Sequence, residues 1–172
     1  QLLNTLHSII EPSRYTNDIT KDCVIVSSPL LIGSKQNAAP QTAYIARKNG
    51  SAIAVAITSN APDGYNGKIQ LIVAIKVDGS ISGVRALSHK ETPGLGDKIE
   101  LRKSDWILNF TGKTDNDVND SHWAVHKDGG MFDQFTGATI TPRAVVKAVK
   151  RTALYFKAHQ DTLFSAPNDC GN

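Results

Sequence analysis

Thr42-Ala43-Tyr44-Ile45-Ala46-Arg47-Lys48-Asn49-Gly50-Ser51-Ala52-Ile53-Ala54-Val55-Ala56-Ile57-Thr58 is the stretch that decides the fold. Asn49-Gly50 stands between two runs suited to extended backbone. Both residues tolerate the positive φ that a tight hairpin turn needs, so the pair predicts two antiparallel strands. The second run alternates. Ile53, Val55 and Ile57 are expected on one face, and Ala52, Ala54 and Ala56 on the other. A face of alanines leaves room for a second element to approach closely. Outward from this hairpin, Ile69, Leu71, Val73, Ile75 and Val77 predict a further strand with one apolar face. Asp78-Gly79 predicts the next turn, and Ile81 to Leu87 the returning strand. Val24-Ile25-Val26 reads as a short strand upstream. Residues 33–41, with Gly33, Ser34, Asn37 and Pro40, read as a loop, and Ser59 to Gly67 as a turn-rich connection. The middle of the chain is thus an antiparallel meander.

Helices flank it. Leu2, Leu3, Leu6, Ile9 and Ile10 recur at helical spacing, which predicts a helix over residues 1–12 closed by Glu11-Pro12. That pattern is already running at Gln1, without an initiator Met, so a signal peptide or membrane anchor is expected upstream. Ser13 to Lys21 is polar. Residues 88–96 form a loop. Ile99 to Phe110 is helical or irregular, with Trp106 and Phe110 as core anchors, and residues 111–135 are turn-rich. Pro142 to His159 predicts the last helix, with Thr141 as N-cap and Pro142 in the first position. Val145, Val149, Ala153 and Phe156 form its buried face, and Lys147, Lys150 and Arg151 its wet one. Strands followed by a helix argue an α+β fold: a twisted antiparallel meander packed with helices in a single domain. Within it we distinguish residues 1–63 (N-terminal helix and first strands), 64–160 (core) and 161–172 (C-terminal tail).

The chain has 172 residues, 40% of them hydrophobic and 20% charged, as expected of one ordinary globular domain. The net charge of +3 comes from scattered Lys and Arg, with no basic run, which argues against a nucleic-acid partner. The longest clean apolar run, Leu71 to Ile75, is far short of the roughly 18 residues that suggest a membrane helix. Cys23 and Cys170 belong to no C-x-x-C pair. They are either separate thiols or a disulfide tying the tail to the N-terminal region in an oxidising compartment. Gly112-Lys113-Thr114 is not a phosphate loop, because Ile107 stands where the opening glycine is required. His89, Glu91, His122, His126, Asp128 and Asp133 show no metal-ligand spacing.

The segment with chemical character is Asp133-Gln134-Phe135-Thr136-Gly137-Ala138-Thr139, immediately before the last helix. The first turn of a helix offers unpaired N–H groups and the positive end of the dipole, which suits an anion. Gly137 and Ala138 let a bulky anion reach the backbone, and Thr136 and Thr139 flank the approach with hydroxyls. These residues fit a phosphate site, and they also fit a plain capping turn.

Asp-x-x-Thr-Gly-Ala-Thr resembles the motif that bacterial flavin transferases recognise when they attach FMN to threonine. Gly64-Tyr65-Asn66-Gly67, the Ile69 strand, Asp78-Gly79 and Glu91-Thr92-Pro93-Gly94-Leu95-Gly96 follow the layout of FMN-binding domains of that type. The resemblance covers residues 64–150 most specifically. The whole chain resembles the periplasmic part of the G subunit of Rnf ion-translocating electron-transport complexes, a family related to the C subunit of sodium-translocating NADH:quinone oxidoreductases. Thr136 stands where serine is frequent in the family. The family's N-terminal transmembrane helix is missing from this chain.

The resemblance implies an electron-transfer subunit of a membrane-bound, ion-translocating redox complex at the periplasmic face of the inner membrane. It implies FMN held by a phosphoester to Thr139, attached by a separate flavin transferase. Thr136, Gly137 and Ala138 would line the phosphate and ribityl chain. Asp133 would be read by the transferase or would organise the turn. Leu95 would face the ring, with Thr92 and Glu91 bonding its polar edge and Pro93, Gly94 and Gly96 shaping the loop. Tyr65 would stack near the ring or anchor its own loop. Thr141 is the helix cap and the fallback acceptor. The rival readings are a non-covalent flavin or phosphate-ligand binding or sensor module, and a docking subunit without a cofactor.

Overall fold

The computed structural model describes residues 1–34 and 39–171. Five strands form one sheet in sequential order, each antiparallel to its neighbour: β1 (Cys23–Val26), β2 (Gln41–Lys48), β3 (Ser51–Gly64), β4 (Gly67–Lys76) and β5 (Ile81–Ser88). Among the described residues, four α-helices accompany them: α1 (Leu2–Ile9), α2 (Pro29–Ile32), α3 (Asp115–Val118) and α4 (Ile140–Ser165). The α+β meander expected from the Asn49-Gly50 hairpin is what the chain forms. Asn49 takes φ 51° and Gly50 φ 88°, the left-handed pair that a two-residue turn demands. Of the loop expected over 33–41, residues 35–38 lie outside the described residues.

Both faces of the sheet are covered, which explains the near-continuous apolar run of β4. On one face Val55, Ile57, Leu71, Val73 and Ile75 pack with Val145, Val149 and Phe156 of α4 and with Trp106, Phe110, Trp123 and Phe132. On the other, Ala46, Ala54, Ala56, Ile72 and Ala74 meet Leu6, Ile9 and Ile10 of the N-terminal segment. The alanines therefore do what their size suggested: they let α1 lie close to the strands. Gly83 serves the same contact, since a Cβ there would lie 2.9–3.2 Å from Ile9, including its Cα. Gly83→Val is expected to unseat α1 at a cost of about 1–3 kcal/mol, measured by urea unfolding.

The alternation of β3 breaks near its start. Ala46 pairs with Ala54 and Arg47 with Ala52, leaving Ile53 as an extra residue in a β-bulge. Ile53 consequently packs with the α1 cluster rather than beside Val55 and Ile57. The connection expected from Ser59 to Gly67 is also mostly strand, because β3 runs to Gly64 and Asn60 and Ala61 pair with Gln70 and Ile69. Cross-strand pairing here overrides the polar composition. Ser59 and Asn60 are buried, and Arg151 Nη2 donates to the Asn60 carbonyl at 3.2 Å. Arg151 thus lies over the central strand β3 and not on the wet face of the helix. Its burial pushes the guanidinium below its ordinary range.

The N-terminal helix is shorter than 1–12. It stops at Ile9, and Pro12–Arg14 forms a separate 3-10 turn. The last helix is longer than 142–159 at both ends. Its final turns stay helical because Leu163 is buried and Gln160 Nε2 donates to the Val77 carbonyl at 3.1 Å. The helix stops at Ser165. Ala166 is extended, as a residue before Pro167 prefers.

Cys23 and Cys170 are joined, with Cα atoms 5.3 Å apart across 147 residues. The tail around this bond also covers the edge of β1. Asn168 Oδ1 accepts from Cys23 N at 3.0 Å, Asp169 Oδ2 accepts from Ile25 N at 2.8 Å, and Asp169 N donates to the Cys23 carbonyl at 2.8 Å. An edge strand whose amides are paired in this way offers little to a stray partner strand.

Candidate functional site

The site lies where the turn between β3 and β4, the loop after β5 and the start of α4 converge. Its walls begin with the turn before α4. Ala138 N donates to the Phe135 carbonyl at 3.1 Å, and Gly137 holds φ 75°, which an L side chain rarely adopts. Phe135 is buried against Trp106, with ring centroids 5.2 Å apart, and Trp106 Nε1 donates to the Asp133 carbonyl at 2.8 Å. The backbone of Asp133 thus anchors the turn. Its exposed carboxylate faces His126 Nδ1 at 3.2 Å. Asp128 completes the support by accepting from Arg143 Nε at 2.7 Å and Nη2 at 3.0 Å, which holds its carboxyl below the usual range.

Thr139 is the N-cap of α4, and its side chain makes no capping bond. The hydroxyl is therefore not spent on the helix. Thr141, expected as the cap, lies within the first turn, is buried, and donates through Oγ1 to Glu91 Oε1 at 2.6 Å. Pro142 sits two residues further into the helix than Ile140, still within the first turn where a missing N–H is tolerated. The Thr-Pro pair reads locally as a helix start. The bond from Thr141 to Glu91, fifty residues away in sequence, gives the hydroxyl a different use.

Glu91 is the hub of the site. Besides Thr141, its carboxylate accepts from Tyr65 N and Asn66 N, each at 2.8 Å. One buried carboxylate therefore ties three chain segments together. It faces inward, away from the role on a ring edge that the sequence suggested. The Glu91 amide donates to His89 Nδ1 at 3.0 Å, and His89 Nε2 meets Glu100 at 2.8 Å. Glu100 is held below the usual carboxylate range by Arg102 first and by His89 also. Asn66 Nδ2 donates to Thr92 Oγ1 at 3.2 Å. Gly96 is required for space: a Cβ there would lie 2.7 Å from Thr141 Oγ1 and 2.8 Å from Glu91 Cβ. Gly94 is required for its backbone, at φ 78°. Glu91→Gln places an amide N–H among donors and leaves at least one of them unpaired. It is expected to cost about 1–3 kcal/mol in denaturant unfolding.

These segments enclose a groove of about 270 Å³ lined by Tyr65, Thr92, Leu95, Gly96, Gly137, Ala138, Thr139, Ile140 and Thr141. The structure so brings together eight of the residues proposed from sequence. Thr136, Gly94 and Glu91 do not line the groove; Thr136 and Gly94 are exposed beside it. Ile140 was missed, although its apolar side chain between two threonines of a helix start is a signal. Tyr65, Leu95 and Ile140 leave 65%, 39% and 45% of their surface exposed, so the rim is apolar. Leu95 leans over Gly137, with Cδ2 3.7 Å from where a Cβ would be. The amides of Ile140 and Thr141 belong to the first turn of α4, which intrahelical bonds leave unpaired.

Residues 64–153 match the family model of the FMN-binding domain. The chain is 52% identical over 170 residues to the G subunit of the ion-translocating oxidoreductase complex of Shewanella loihica, covering 99% of this chain and 79% of that protein. It is 53% identical over 171 residues to the G subunit of the same kind of complex in Vibrio vulnificus, with 99% and 79% covered. The chain belongs to this G-subunit family. The G subunit of Pseudoalteromonas atlantica is similar at 52% identity over 169 residues, with 98% and 77% covered. The family match takes in both walls of the groove, from the Gly64 turn through the start of α4. Among the described residues of this G-subunit family member, no helix is long and apolar enough to cross a membrane, and no cluster of His, Cys, Asp and Glu is suited to a metal.

Proposed function

We propose that this chain is an electron-relay subunit of an ion-translocating oxidoreductase complex, with FMN held covalently through a phosphoester to Thr139 Oγ1. The observation that carries the reading is Thr139 itself. It lines the groove at the N-terminus of a 26-residue helix, and its hydroxyl caps nothing. The neighbouring residues fit FMN. The free amides and dipole of the first turn of α4 suit the phosphate. Gly137 and Ala138 admit it, and the apolar rim suits one face of a flavin ring. The groove lies just below the usual range for a small-molecule pocket, roughly 300–1,000 Å³, so much of the cofactor would stay at the surface.

Bound FMN supplies the redox chemistry, accepting electrons and passing them on. The protein positions it. Thr139 holds the phosphate end, Leu95 offers apolar contact, and Glu91 keeps the three walls in register. Ester formation joins Thr139 Oγ1 to phosphorus, with net loss of one water from threonine and FMN. An alkyl hydroxyl is a poor nucleophile, and no His, Asp, Glu or Lys lines the groove to activate it. A separate flavin transferase is therefore the expected catalyst. The Cys23–Cys170 bond supports placement on the periplasmic side of the membrane, an oxidising compartment. Other subunits of the complex would be the electron partners, with a membrane helix outside this chain as anchor.

Leu95→Asp tests the ring contact. Leu95 is already part-exposed, so the fold is expected to persist. A carboxylate beside the ring is expected to shift the flavin absorption bands and lower the midpoint potential. Spectroelectrochemistry showing neither change would remove the loop from the ring's surroundings.

A further inference from the structure

A second groove lies away from the flavin site. It measures about 470 Å³ and is floored by Ile10, Ile53, Ala54 and Val77. Arg14, Lys48 and Lys76 border it. It continues, through Arg14, Lys76 and Ser82, into a second hollow of about 330 Å³ that His7 and Glu11 also line. The groove sits at the end of the sheet where the turns after β2 and β4 lie. The flavin site is at the other end of β4, ten residues or roughly 30 Å away.

Two features mark the groove as more than solvated surface. The β-bulge turns Ile53 onto this face, part-exposed beside Val77, which is 43% exposed. Re-aiming a side chain is what bulges at functional rims commonly do. Among the described residues, Arg14, Lys48 and Lys76 form no ion pair, whereas Arg47, next in sequence to Lys48, is paired with Asp22 at 2.8 Å. Asp78 in the groove bonds Ser80 N at 2.9 Å and Ser80 Oγ at 2.7 Å, which occupies one carboxylate oxygen. Those bonds are the first cause of its lowered pKa, and the charge of Lys76 is a lesser one. Arg85, on the same face, donates to the Ser8 carbonyl at 3.2 Å and, among the described residues, has no carboxylate partner.

We propose that this groove binds an anionic phospholipid, with the phosphate on Arg14, Lys48 and Lys76 and the start of an acyl chain along Ile53 and Val77. Three cations without salt bridges around an apolar floor match a ligand that is charged at one end and apolar at the other. The proposal rests on this groove alone and stands independently of the flavin reading.

The test is vesicle flotation of the protein with phosphatidylglycerol/phosphatidylcholine mixtures and with phosphatidylcholine alone. Binding is expected only to the anionic vesicles. The triple variant Arg14→Glu, Lys48→Glu, Lys76→Glu should weaken it at least a hundredfold, since each cation at an anionic surface contributes about fivefold. A control with Lys21→Glu, Lys127→Glu and Lys157→Glu makes the same change in net charge elsewhere and should weaken it far less. Val77→Ser should weaken vesicle binding severalfold and leave the affinity for soluble glycerol phosphate, read by amide chemical shifts, unchanged. No binding by the wild type, equal loss in both triple variants, or soluble glycerol phosphate binding as tightly as vesicles would each overturn the proposal. Intact circular dichroism of the triple variant excludes unfolding as the cause, and Lys48→Glu alone, at an exposed site, should still weaken binding severalfold.

Discussion

Thr139→Ala is expected to abolish covalent flavin completely while leaving the melting temperature of the unmodified protein almost unchanged. The two halves have one cause. The hydroxyl is the only part of Thr139 that could carry the phosphoester, and it makes no capping bond within α4. An N-cap threonine that bonds an amide loses about 1 kcal/mol on truncation, whereas a side chain without that bond is expected to stay within about 0.5 kcal/mol. In-gel flavin fluorescence of denatured protein, with a flavin transferase co-expressed, reads the first half. Thermal denaturation reads the second. Fluorescence persisting in the variant would move the acceptor elsewhere. Thr141 is badly placed for that role, since it is 1% exposed and its hydroxyl is already given to Glu91.

Replacing both Cys23 and Cys170 by alanine is expected to give the largest loss of stability, about 2–5 kcal/mol in urea unfolding of the flavin-free protein. The bond closes nearly the whole chain, its ends being 147 positions apart in sequence, so it removes much freedom from the unfolded ensemble. Its loss also loosens the tail that pairs the outer amides of β1 through Asn168 and Asp169. Hydrogen exchange should therefore quicken first at Cys23 and Ile25. An unchanged unfolding midpoint would mean that the tail holds β1 without the covalent link.

What the sequence revealed and what it hid follow from the range of the interactions. The meander was legible because Asn49-Gly50 and Asp78-Gly79 act over a few residues and the strands alternate between them. The bulge at Ile53 was not legible, because it depends on which residue of β2 faces which residue of β3. Ser59 to Asp63 was misread because polar residues were paired and covered by partners distant in sequence, Gln70 and Arg151 among them. At the site, the Thr136 to Thr139 turn and the Glu91 to Gly96 loop were visible as motifs, and eight of their residues and neighbours meet in one groove. The inward role of Glu91 was hidden, since its partners Tyr65, Asn66 and Thr141 lie 25 to 50 residues away. Thr141 was misassigned for the same reason: local chemistry made it a cap, and a distant carboxylate claimed it.

The measurement that tests the central claim most directly is the intact mass of the denatured wild-type protein made with a co-expressed flavin transferase, followed by peptide mapping. A gain of one FMN less one water is expected, on the peptide that contains Thr139. An unmodified mass from a protein exposed to active transferase would contradict the covalent reading and leave the groove as, at most, a site for a dissociable ligand.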